Sequence, residues 1–90
     1  MIKMPYIPKE DRGKFDRIVE EVLKVLNKEV GRQDGELNYF FTRILLSVYT
    51  PKYFNYNRAM GLLESVKQEF YRRFIASYED SKIREYGDIR

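Results

Sequence analysis

Ninety residues, 43% hydrophobic and 34% charged, describe one globular domain near the size at which oligomerisation supplements a small core. The chain holds no Cys and no His, so disulfides, zinc sites, thiol nucleophiles and an imidazole base are excluded, and any catalysis would rest on Asp, Glu, Lys, Tyr, Ser or Thr. A net charge of +3 arises from 17 basic and 14 acidic residues interleaved along the chain, which is not the one-sided pattern of a nucleic-acid tail.

No apolar run approaches a bilayer span, and Met1 to Pro5 lacks a signal-peptide core, so the expectation is a soluble protein, compatible with a cytoplasmic setting. Pro5 and Pro8 predict an extended N-terminal arm over residues 1–9, with Tyr6 and Ile7 placed to pack on the body. A first helix is expected from Glu10 or Lys14 to Val30. Its apolar face is Phe15, Ile18, Val19, Val22, Val25, Leu26 and Val30. Gly31 is read as its C′ residue, and Gly31 to Gly35 as a polar loop.

Asp34 then reads as the N-cap of a second helix, with Glu36 against its positive end. From Leu37 to Tyr49 this helix is apolar almost all round, which fits a central element or an interface. Asn38 and Thr42 are its polar exceptions, one turn apart and on the flank of Tyr49. One reading has Thr42 bonding back to a carbonyl and Asn38 making an interhelical bond. Thr50-Pro51 breaks the helix, and Lys52 to Tyr56 is expected to connect it to a third.

The third helix is expected from Asn57 to Tyr78, with Ala59, Met60, Leu63, Val66, Phe70, Phe74 and Tyr78 as its stripe. Gly61 suggests close approach by a neighbouring backbone. Glu79-Asp80 reads as a turn, and Glu79 to Tyr86 as a short fourth helix closed by Gly87.

At 100° per residue Lys67 falls inside the apolar stripe, where an ammonium must snorkel to an edge, meet a carboxylate or face a ligand or partner. Glu64 and Tyr71 are one turn away on the same flank. With Asn38, Thr42 and Tyr49 facing them, they would line a polar pocket for a small anionic ligand such as a nucleotide; a satisfied structural ion pair accounts for the same residues. Arg72, Arg73, Lys82 and Arg84, flanked by Tyr71, Tyr78 and Tyr86, form an alternative phosphate surface, against a reading in which Glu69 pairs with the arginines. Glu20-Glu21 and Glu64 with Glu69 do not share a helical face, so paired-carboxylate metal chemistry is not expected, and no Gly-rich phosphate loop is present.

Met4-Pro5-Tyr6-Ile7, Gly35-Glu36-Leu37-Asn38-Tyr39 with Thr42, Asn57-Arg58-Ala59-Met60-Gly61-Leu62-Leu63-Glu64 with Lys67, Glu69-Phe70-Tyr71-Arg72-Arg73, and Tyr78-Glu79-Asp80 with Lys82-Ile83 carry a resemblance. Together these stretches resemble a family of short hypothetical proteins from bacteria, archaea and phages, with no assigned activity. The resemblance implies that Asn38, Asn57, Glu64, Lys67 and Arg72 lie within its motifs, and that Met1 to Lys3 extends a chain beginning at Met4.

The expected fold is all-α, a three-helix antiparallel bundle with an extended arm and a short C-terminal helix over residues 79–90. The expected function is that of a non-enzymatic binding protein without cofactor or metal, homo-oligomeric because the aromatic surface exceeds what three helices cover. It would hold a small anionic ligand or a protein partner through Lys67, Glu64, Tyr71, Asn38, Thr42 and Asn57. The alternative is a nucleic-acid-binding accessory protein using Arg72, Arg73, Lys82 and Arg84.

Overall fold

Helices α1 (Gly13–Val25), α2 (Val30–Val48), α3 (Tyr53–Phe70) and α4 (Ala76–Tyr86) carry the chain in a computed structural model that describes residues 7–90. The fold is all-α, with no strand among the described residues. Most of the expected arm, including Tyr6, lies outside those residues. Ile7 is within them, and its carbonyl accepts from Arg12 Nε at 3.0 Å, just before a 3₁₀ turn over Lys9–Asp11.

The chain divides into two compact units, Met1–Arg43 and Ile44–Arg90. In the first, α1 stops at Val25, five residues short of the expected end, because Leu26 turns extended. Asn27 then organises the turn. Its Oδ1 accepts the Glu29 N–H at 2.8 Å, while the Glu36 carboxylate accepts the Asn27 N–H at 2.8 Å. A local side-chain bond of this kind offers the backbone an alternative to helix, which is why the break falls at Asn27 and not at Gly31. The expected loop from Gly31 to Gly35 and the expected N-cap Asp34 are corrected accordingly: both lie inside α2.

In the second unit, Asn55 Nδ2 donates to Thr50 Oγ1 at 2.8 Å and to Thr50 O at 3.2 Å, and α3 starts at Tyr53. The connection is therefore shorter than expected, and the aromatic run Tyr53, Phe54 and Tyr56 belongs to the helix. At its other end α3 does not stop at Glu79-Asp80. It passes through a π segment, Tyr71–Ile75, directly into α4, so Tyr53 to Tyr86 is one continuous helical element. Gly87 ends it at φ +91°, with its N–H on the Ile83 carbonyl at 2.8 Å, as the terminal glycine predicted.

Packing differs most from expectation. Among the described residues only Ala59 is buried, at 9% exposure. Val22, Leu26, Leu37 and Phe40 in the first unit are half-buried, but Val25 and Val30 of the predicted core face are exposed. In the second, Met60, Val66, Phe70, Phe74 and Tyr78 all remain exposed. The neighbour inferred beside Gly61 is also absent, since a Cβ built there meets nothing within 4 Å.

The two glycines of this element should respond with opposite sign. Gly61→Ala removes backbone entropy at no steric cost and is expected to stabilise by about 1 kcal/mol. Gly87→Ala forces a side chain into a glycine-only conformation and should cost about 1–3 kcal/mol. Denaturation followed by circular dichroism checks both.

Candidate functional site

The polar residues singled out by sequence lie on two separate units. Asn38 and Thr42 belong to the first, where the Thr42 hydroxyl meets Asn38 Oδ1 at 3.5 Å, a side-chain pair in place of the expected back-bond to a carbonyl. Asn57, Glu64, Lys67 and Tyr71 belong to the second. There Asn57 is exposed, and Tyr49 faces the Arg58 guanidinium at 5.2 Å.

Lys67 is not buried in its stripe. Its side chain is 73% exposed and its Nζ lies 3.8 Å from Glu64 Oε2, while Glu64 Oε1 accepts from Gln68 Nε2 at 3.0 Å. Because the apolar face around it is itself open, the lysine meets no desolvation cost. Tyr71, expected to reach Lys67, turns the other way and donates from its hydroxyl to Glu79 Oε1 at 2.8 Å. The π segment accounts for this. Eight residues of unbroken α-helix leave two side chains roughly 80° apart, and widening one turn by a residue removes most of that angle. The Glu79 hydrogen bond, and then its charge, raise the Tyr71 pKa above the ordinary 10.0, with smaller contributions from desolvation and Asp80.

The basic residues of the alternative surface are engaged along the helix. Arg72 Nη2 and Arg73 Nη1 both meet Glu69 Oε1, at 2.9 and 3.7 Å. Lys82 Nζ is 3.4 Å from Glu85 Oε2 and sits 5.5 Å from the Tyr78 ring and 5.4 Å from the Tyr86 ring. Arg84 is exposed. Between Leu63 and Ile75 one face of the element forms an open depression of about 570 Å³, lined mainly by Leu63, Val66, Phe70 and Ile75, with Lys67 its one basic residue.

A feature overlooked in the sequence becomes visible on this face. Glu64-Ser65-Val66-Lys67-Gln68-Glu69-Phe70-Tyr71 and Glu79-Asp80-Ser81-Lys82-Ile83-Arg84-Glu85-Tyr86 share the spacing Glu-x-x-Lys-x-x-x-Tyr, fifteen residues apart. In an uninterrupted α-helix that offset places the two sets roughly 60° out of phase. The extra residue of the π turn takes up this angle, so Lys67 and Lys82 border one edge of the same stripe. The identical spacing was the available signal. Helical periodicity across the π segment hides it.

The model of a family described as a domain of unknown function, DUF6899, matches residues 4–89, and the chain belongs to that family. No curated protein and no solved structure matches the chain. Among the described residues no helix is long and apolar enough to cross a membrane, and no three acidic side chains gather to hold a metal ion.

The Tyr71–Glu79 bond has a defined pH dependence. A raised folded pKa means that its contribution is present below the unfolded value near 10.0 and is lost as pH rises through the folded one. In a site-resolved NMR titration, Tyr71 should deprotonate above the ordinary tyrosine range, and Glu79→Gln should bring it back down. A Tyr71 midpoint that ignores Glu79→Gln would contradict the bond.

Proposed function

We propose that this member of the DUF6899 family is a non-enzymatic helical binding protein that works as a homo-oligomer and recognises its partner through exposed apolar helix faces. The observation that carries the reading is the uncovered face of the second unit, where Phe70 and Phe74 stack at 5.3 Å with Met60, Val66 and Tyr78 beside them, all open to solvent. Contiguous apolar surface of this extent marks an interaction site. Helices of this length are marginal in water without a covered face.

A helical protein surface suits this face better than a small anion does. An anion in the depression would meet one ammonium, already facing Glu64, among mainly apolar walls. The nucleic-acid alternative has no observation in its favour, since Arg72, Arg73 and Lys82 each face a carboxylate on their own helix.

Sedimentation equilibrium should return a species heavier than the 10.9 kDa chain. The melting temperature should rise over about a hundredfold range of protein concentration, because association stabilises by mass action. A 10.9 kDa species with a concentration-independent melt overturns the proposal.

A further inference from the structure

We infer that the α3–α4 face docks antiparallel on the same face of a second copy, with Glu64 opposite Lys82 and Lys67 opposite Glu79 across the interface. This deepens the homo-oligomer reading and rests on it.

Two observations select a second copy as the occupant. The first is area. Met60, Leu63, Val66, Phe70, Phe74 and Tyr78, exposed to between 40% and 65%, leave together on the order of 700 Å² of apolar side chain facing solvent at typical side-chain areas. That is close to the ~800 Å² that each partner contributes to a stable interface.

The second is charge. Each set along the helix runs Glu then Lys, three residues apart, and the π segment brings both sets to one edge of the stripe. In a two-fold antiparallel pair each edge meets the same edge of the partner, read in the opposite direction. The order Glu64, Lys67, Glu79, Lys82 then faces Lys82, Glu79, Lys67, Glu64. Every glutamate meets a lysine at once.

The axis of this pairing passes level with Arg73, midway between Glu64 and Lys82 and midway between Lys67 and Glu79. It brings the Phe70–Phe74 pairs of both copies together at the centre of a contact about 27 Å long at 1.5 Å per residue. In a parallel pair this edge would meet the opposite one, and the complementarity would be lost. Charges at such edges set the orientation of paired helices.

The test is a charge exchange in the full chain, read by sedimentation equilibrium with circular dichroism as a check on helicity. Glu79→Lys with Lys82→Glu sets like charges against Glu64 and Lys67 of the second copy, and self-association should weaken about tenfold or more. Adding Glu64→Lys with Lys67→Glu restores opposite charges everywhere, and the fourfold variant should recover the parent's affinity. Because Glu79→Lys also removes the Tyr71 bond, Tyr71→Phe serves as a second control and should weaken association far less than the exchange does. A 10.9 kDa parent species would overturn both this pairing and the homo-oligomer reading. An oligomer equally tight in the parent and the twofold variant, or one that the fourfold variant fails to restore, would overturn the antiparallel pairing alone.

Discussion

The constraint on which everything else depends is that an amphipathic helix must cover its apolar side. Fixing the backbone of each residue opposes folding by about 1–2 kcal/mol, and intrahelical hydrogen bonding nets too little to offset it. In the second unit the apolar residues are arranged as a helix requires, yet only Ala59 among the described residues is buried. Such a face is complete as a surface and incomplete as a core. The heavy use of Tyr and Phe fits this role, because rigid rings supply large contact area at small entropic cost.

The π segment is the second organising feature. A wide turn costs hydrogen-bond regularity and is rare, so its position matters. Between Tyr71 and Ile75 it rotates α4 relative to α3 and aligns two sets of Glu, Lys and Tyr that the α-helical period would separate. The Tyr71–Glu79 bond spans it, one end on either side, and ties the phase of the two helices together. Lys82, held over the rings of Tyr78 and Tyr86, keeps its charge beside apolar surface without losing solvent.

These features change the meaning of Lys67. In a packed three-helix core an ammonium within the stripe would demand a buried partner. On an open face it is an edge residue, loosely set against Glu64 and able to meet another charge. The same logic applies to the arginines. Glu69 gathers Arg72 and Arg73, so this part of the helix presents mixed charge and not a positive patch.

Helical identity was readable from the residues themselves. The period of the apolar positions, the break at Thr50-Pro51 and the closing Gly87 are local, because backbone stereochemistry acts over a few residues. Boundaries set by side chains reaching across a turn were harder to see. Asn27 with Glu36 moved the first break, and Asn55 with Thr50 drew the aromatic run into α3. The three-dimensional structure alone decided the phase across the π segment, the partner of Tyr71 and the openness of Lys67. Each depends on how a whole turn is wound or on whether anything lies over a face, and neither is encoded in the spacing of neighbouring residues.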